Sequence, residues 1–256
     1  MQNNDKLLLP KIIDKIKLSK NKITNSEFLN EYQISAVEKE LRKIGNTNYF
    51  FEGGYEDAES KILVAYPEAL GESIARKNVN NILKAIKIEL PNEIHGKLEH
   101  RDYLGTVMSF GLVRERIGDI IVHEDSAYII VLEENATYLK SSFEYEKRFK
   151  KAKISIIDIS EIKTKKVEFE EITISVNGVR LDSVISEIIK TSRRIAQEYL
   201  EEEKVSINYV IETKATKAIK EKDILIIRGK GKFIVDEFLW IQNIFVWQEG
   251  NNFFGF

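Results

Sequence analysis

The stretch VRLDSVISEIIKTSRRIAQEYLEEEKVSIN, residues 179–208, decides how the chain is read. Leu181, Val184, Ile185, Ile188 and Ile189 fall at i, i+3, i+4, i+7 and i+8, one face of a helix. Thr191-Ser192 interrupts that run and offers a side-chain oxygen to cap a new helix. The buried side of the second helix would be Ile195, Ala196, Tyr199 and Leu200. Val205 and Ile207 then alternate into a turn at Asn208-Tyr209. Ile224–Ile227 is a further short strand, and Arg228-Gly229-Lys230-Gly231-Lys232 follows it. The predicted order over 179–233 is helix, tight turn, helix, small strands.

Arg193 and Arg194 fall in the first turn of the second helix, where the macrodipole disfavours cations by a few tenths of a kcal/mol or more. The same helix end presents free backbone N–H groups, which makes it an anion site. Two arginines there concentrate donors and charge, and a bound phosphate would relieve their repulsion. The competing reading is neutralisation by Glu198 or Asp182, and the residues alone leave both open.

Upstream, the texture is mixed. Residues 7–44 read as helices, with Leu8, Leu9, Ile12, Ile13 and Ile16 as an apolar stripe and Asn25 or Ser26 as the cap of a second helix. Lys6, Lys11, Lys15 and Lys17 lie off the stripe, as a solvated face or a nucleic-acid contact. Ile62–Ala65 reads as a strand, Glu72–Lys77 as a helix and Ile82–Leu90 as a strand ended by Pro91. His100–Phe110 reads as a helix, Asp119–His123 and Tyr128–Leu132 as a hairpin, Asn135–Lys147 as a helix and Ile154–Ile159 as a strand. Residues 160–177 are expected to form a strand leading out of the middle domain or a structured linker, and Asn177-Gly178 is a turn at which the last boundary is set. The expected fold class is α+β, divided into a mainly helical 1–78, an α/β 79–176 with antiparallel pairing, and 177–256.

Composition removes several function classes. Thirty-nine basic and 41 acidic residues give a net charge of -2, which excludes a uniformly basic histone-like protein. With no cysteine there is no disulfide scaffold, thiolate metal site or cysteine nucleophile. The three histidines, His95, His100 and His123, fall on separate elements, so neither a metal nor a cofactor is expected. No apolar run approaches the roughly 18 residues of a membrane span, and the N-terminus is too short and polar for a signal peptide. The expectation is a cytoplasmic chain with no membrane partner and no small-molecule substrate.

Enzyme motifs fail on inspection. His100-Arg101-Asp102 lacks the asparagine of a kinase catalytic loop, because Val107 stands there. Around Gly231-Lys232, the P-loop glycine is replaced by Ile226 and the Ser/Thr by Phe233. Gly229-x-Gly231 lacks the third glycine of a dinucleotide motif, with Ile234 in its place. No carboxylate pair can be placed in a cleft.

Val179-Arg180-Leu181-Asp182, Ser192-Arg193-Arg194-Ile195-Ala196, Lys204-Val205-Ser206-Ile207-Asn208 and Lys222-Asp223-Ile224-Leu225 together resemble an S4 domain, a small RNA-binding module. The departures are Glu203 and Glu221 where glycine is usual at a turn, and Ser206 and Tyr209 in the recognition hairpin. The resemblance implies a helix pair plus a small antiparallel sheet that binds structured RNA. It puts Arg180, Ser192, Arg193, Arg194, Lys204 and Asn208 forward as RNA contacts, with Arg228, Lys230 and Lys232 in the adjoining basic loop. Further upstream, Phe51-Glu52-Gly53-Gly54-Tyr55-Glu56-Asp57-Ala58-Glu59, His100-Arg101-Asp102-Tyr103-Leu104-Gly105 and Gly111-Leu112-Val113-Arg114-Glu115-Arg116-Ile117-Gly118-Asp119-Ile120 resemble the YlmH-like proteins of Gram-positive and related bacteria. That resemblance implies an RRM-like α/β plait in the middle. It also implies a ribosome-linked role on rRNA or tRNA, on large subunits holding stranded tRNA.

A second set of basic residues is expected to contact phosphate. Lys147-Arg148-Phe149-Lys150-Lys151-Ala152-Lys153 packs five cations into seven residues, read either as a solvated helix end or as an RNA contact. Arg101, Arg114 and Arg116 are similar candidates, and pairing with Glu115 or Asp119 competes for the last two. Phe233, Phe238, Trp240, Phe245, Trp247, Phe253 and Phe254 read as core or an S4 extension, with base stacking as the alternative. The expected function is non-catalytic RNA binding. The alternatives are an RNA-modifying enzyme targeted by its S4 domain and a cell-division-linked adaptor.

Overall fold

The structure, a computed structural model, describes residues 3–45, 48–164, 169–176, 178–239 and 243–249. The chain forms two compact units, Met1–Thr164 and Lys165–Phe256.

The first unit opens with α1 (Asn3–Leu18), β1 (Thr24–Leu29), α2 (Glu31–Lys43), β2 (Tyr49–Glu52) and β3 (Lys61–Ala65). The strands pair antiparallel in the order β1-β3-β2. Ile12 and Ile16 of α1 and Val37 and Leu41 of α2 bury against Leu29, Leu63 and Ala65 on one side of this sheet. Phe28, Phe50, Ile62 and Val64 face the other way.

Residues 24–29 correct the expectation that 7–44 consists of helices, since they form a strand. Thr24 and Ser26 point inward, so a polar inner row hides the two-residue alternation that marks a strand. Thr24 Oγ1 donates to Lys15 O at 2.9 Å, and Leu63 N donates to Ser26 Oγ at 2.9 Å, so both hydroxyls are satisfied inside. The cap of α2 is Asn30 rather than Asn25 or Ser26. Its side chain takes Gln33 N at 2.9 Å while Gln33 Oε1 takes Asn30 N at 3.1 Å, a reciprocal capping box.

After α3 (Glu72–Lys77) come β4 (Leu83–Glu89), α4 (His100–Ser109), β5 (Ile117–Val122), β6 (Ser126–Leu132), α5 (Glu133–Tyr145) and β7 (Lys153–Asp158). This βαββαβ run makes a four-stranded antiparallel sheet in the order β5-β6-β4-β7, the split βαβ plait. Both helices lie on one face, where Tyr103, Val107, Leu139 and Phe143 pack on Ile86, Ile88, Ile129 and Ile154. On the other face Leu83, Ile130 and Leu132 are covered by Phe28, Ile62 and Val64 of the three-stranded sheet. That cover reaches only part of the face.

The second unit consists of β8 (Phe169–Ser175), α6 (Leu181–Ile188), α7 (Arg193–Glu201), β9 (Val205–Ile207), β10 (Val210–Ile211), β11 (Ile224–Ile227), β12 (Gly231–Leu239) and β13 (Asn243–Glu249). The strands form one antiparallel sheet in the order β10-β9-β11-β12-β13-β8. β8 pairs with β13 from Ser175↔Asn243 to Phe169↔Glu249, so the strand expected on the way out of the middle domain belongs to the C-terminal sheet. Leu181, Val184, Ile185, Ala196 and Leu200 of the helix pair bury against Val205, Leu225, Ile227 and Phe233. The predicted helix–turn–helix–strand order holds. Phe233 is core; the side chains of Phe238, Phe245 and Trp247, and Asn177, Trp240, Phe253 and Phe254 altogether, lie outside the described residues.

Candidate nucleic-acid interface

Ser192 caps α7, its Oγ accepting from Ile195 N at 3.3 Å. The two helices therefore meet at a sharp corner, and Arg180, Asp182, Ser183 and Arg193 converge there. Asp182 is 1% exposed. Arg180 grips it bidentately, Nε to Oδ1 at 3.1 Å and Nη2 to Oδ2 at 2.8 Å. Ser183 N donates to Oδ1 at 2.9 Å and Gln197 Nε2 to Oδ2 at 3.4 Å. The Arg180 hydrogen bonds hold the Asp182 carboxyl below the usual carboxylate range. A buried carboxylate thus sets the direction of a half-exposed guanidinium, the bidentate geometry that also suits phosphate. Arg193 Nη2 donates to Ser183 Oγ at 2.8 Å. Arg180, Arg193, Gln197 and Thr191 rim one open cleft.

The other sequence-nominated residues of this unit divide in two. Arg194 turns away to pair with Glu198, which is the neutralisation the sequence left open, while Asp182 serves Arg180 instead. Lys204 lies 5.3 Å from the Tyr199 ring centroid and pairs with Glu202. Arg228 sits beside it, its N–H donating to Lys204 O at 2.8 Å, and Arg228 and Lys230 are exposed in the β11–β12 turn. Asn208 is a turn brace. Its Nδ2 donates to Asp223 Oδ1 at 2.8 Å and its Oδ1 accepts from Ile224 N at 2.9 Å. Lys232 is buried, with Nζ 5.7 Å from the Tyr209 ring. Glu203 has φ +56°, the left-handed conformation glycine favours. At the second such turn the positive φ, +66°, belongs to Lys222 and not to the expected Glu221.

In the first unit the basic residues are mostly engaged. Arg114 is half-buried, donating to Ile117 O at 2.6 Å and Gly118 O at 3.2 Å. Arg116 pairs with Glu27 at 3.1 Å and with Glu134, while the charges of Asp119 and Glu115, the partners weighed from sequence, act on Arg114. Arg101 pairs with Glu99 at 3.0 Å and Arg148 with Asp102 at 2.9 Å. Lys151 stands 3.9 Å from Glu93. Lys147 and Lys150 are exposed, and Phe149 between them is core.

The glycine-rich motif at 51–59 has a structural role that its composition did not reveal. Asp119 takes the Tyr55 hydroxyl and the amides of Glu59 and Ser60, so the 53–60 loop closes onto β5. His100 stands beside Arg114 and Asp119, and burial, then the Arg114 charge, lower its imidazole to about 4. Three sequence motifs therefore meet in one place. Among the described residues no group of three or more His, Asp or Glu is arranged to hold a metal ion.

Residues 78–163, the plait, match the family described as "Putative RNA-binding domain in YlmH". A Bacillus subtilis (strain 168) protein named ribosome-associated protein quality control protein P2 is 28% identical over 184 residues, 71% of this chain and 68% of that protein. The solved structure of cell division protein ylmH from Streptococcus pneumoniae aligns with a TM-score of 0.47 at 20% identity, covering 64% of this chain and 97% of that one. No helix among the described residues is long and apolar enough to cross a membrane. In its plait, residues 78–163, the chain is similar to the RNA-binding domain described for YlmH.

Proposed function

We propose that this is a ribosome-associated RNA-binding protein that recognises structured rRNA or tRNA through an S4 domain formed by its second unit. The carrying observation is the cleft at the corner of α6 and α7, where buried Asp182 aims Arg180 and Ser183 holds Arg193. Preset guanidinium groups bind phosphate with little ordering cost. The Lys204, Arg228 and Lys230 group extends the basic surface within the same unit. The S4 motifs, the YlmH-type plait and the name of the Bacillus relative support the reading. In this reading the chain works in the cytoplasm without catalysis, on large subunits holding stranded tRNA.

The test is binding to large subunits and to rRNA or tRNA fragments across a salt series, with Arg193→Gln plus Arg228→Gln, one from the cleft and one from its basic extension, beside the parent chain. Loss of two phosphate contacts should lower the slope of log affinity against log salt by roughly 1.4 to 1.8. A folded double variant with unchanged affinity and slope refutes the helix-pair surface.

A further inference from the structure

Two of the three histidines, distant in sequence, line one cleft in the plait. The cleft lies at the end of the sheet face that the three-stranded sheet leaves uncovered. It has about 360 Å³ of space, at the low end of ligand pockets. Its two walls are the loop after β4 and the β5–β6 hairpin. Backbone bonds stitch them together, Leu90 N to Asp125 O at 2.8 Å and Gly96 N to Glu124 O at 2.8 Å.

Both imidazoles are held in place. His95 Nε2 donates to Leu90 O at 3.0 Å, and His123 Nε2 donates to Lys163 O at 2.8 Å. A carbonyl can only accept, so Nε2 carries the proton in each ring and Nδ1 is left over. His123 also stands edge-on to Tyr128, centroids 5.6 Å apart. Tyr128 itself is 2% exposed, so the ring faces offered to a ligand are those of the histidines.

The lining suits a small polar group that carries both charge and hydrogen-bonding edges, with two ammonium groups to take a phosphate. Lys87 and Lys153 share Glu89, at 2.9 and 3.3 Å. Lys163 and Asp125 also line the cleft, so its lining balances two ammonium groups against two carboxylates, with Lys153 beside it. Asn92 offers both a donor and an acceptor. A phosphate with an attached base meets this set; an apolar ligand does not. A duplex presents a convex backbone that cannot enter. A strand cannot continue across the sheet, because Ile130 and Leu132 on that face are covered.

We propose that this cleft receives a single unpaired nucleotide of a bound RNA, its phosphate on Lys87 and Lys163 and its base between His95 and His123. The proposal rests on the RNA-binding reading above and adds a second contact, specific for unpaired RNA.

The test uses the full chain with single-stranded hexaribonucleotides of each base, nucleoside 5′-monophosphates, and a structured rRNA fragment. Imidazole resonances are followed by NMR and affinities by titration. At least one hexamer should shift His95 and His123 and leave His100 in place. Lys87→Ala with Lys163→Ala should weaken that hexamer about tenfold, with less than a twofold change for the structured fragment. Hexamer binding that moves neither His95 nor His123, or that survives the double variant, overturns the proposal. Monophosphates binding as tightly as hexamers also overturn it, by marking a free-nucleotide site. Loss of structured-fragment binding in Arg193→Gln with Arg228→Gln, with the hexamer signals intact, supports two separate surfaces. Failure of the structured fragment to bind the parent chain counts against the proposed function, and the hexamer signals still decide the cleft.

Discussion

Asp119 accepts the Tyr55 hydroxyl at 2.9 Å, between residues 64 positions apart in the chain. The same carboxylate takes Glu59 N at 2.8 Å and Ser60 N at 3.1 Å, so one side chain holds the whole 53–60 loop against the plait. Burial, and then the Asp119 charge, push the Tyr55 phenol up, so it stays a donor. Asp119→Ala leaves a hydroxyl and two amides without their acceptor and should cost about 3 kcal/mol in urea unfolding. Tyr55→Phe removes one donor, leaves both amides satisfied and should cost about 1 kcal/mol. Equal losses in the two variants would mean that the amide contacts carry nothing.

Gly118, the neighbour of Asp119, has no room for a methyl group. A Cβ there would lie 2.6 Å from Phe28 Cε1 and 3.1 Å from Ile130 Cβ. Gly118→Ala should therefore destabilise the first unit by about 1–3 kcal/mol through overpacking of the contact between its two sheets. Phe28→Leu in the Gly118→Ala background should recover part of that loss, and a double-mutant cycle with a coupling near zero would rule the contact out.

His100 should make the first unit acid-sensitive. Its folded-state value is lowered to about 4 by burial and the nearby Arg114, whereas an unfolded histidine titrates near 6.5. The unfolded chain takes up the proton first, so the contribution is full above pH 6.5 and is lost as pH falls from there toward 4. Partial exposure reduces the effect to about 2 kcal/mol. His100→Asn should flatten the pH dependence of stability over that interval, and a slope identical to the parent's would place the sensitivity elsewhere.

The helix pair was readable because its apolar residues obey one period and Ser192 follows a clear break. The βαββαβ elements were readable for the same reason, since the rows facing their core are apolar, with Tyr103 and Phe143 among the aliphatic residues. β1 was not, because Thr24 and Ser26 occupy inward positions, and their hydroxyls bond to Lys15 O on α1 and to Leu63 N on β3, groups distant in sequence. At the site, the sequence named Arg180 and Arg193, but whether Arg194 met Glu198 depended on rotamers that spacing does not set. Arg114 and Arg116 were nominated as phosphate contacts by their charge. Their nearest acceptors are the carbonyls of Ile117 and Gly118 and the carboxylates of Glu27 and Glu134, brought near by tertiary packing. The histidine cleft depends on that packing too, since its walls come from two different loops.

Glu203 and Lys222 hold φ values of +56° and +66°, a region that costs a side-chain-bearing residue roughly 1–2 kcal/mol. Glycine removes that strain but gives back about 0.5–1 kcal/mol of unfolded-state entropy. Glu203→Gly should therefore stabilise the second unit by about 0.5–1 kcal/mol in thermal or urea unfolding. The substitution also deletes a negative charge next to Lys204, so RNA affinity at low salt should rise as well. Glu203→Gln separates the two effects, because it removes the charge and keeps the strained backbone. It should raise RNA affinity as far as Glu203→Gly does, with no gain in stability. If Glu203→Gly stabilises while neither variant changes RNA affinity, the surface around Lys204 and Arg228 is not in contact with phosphate.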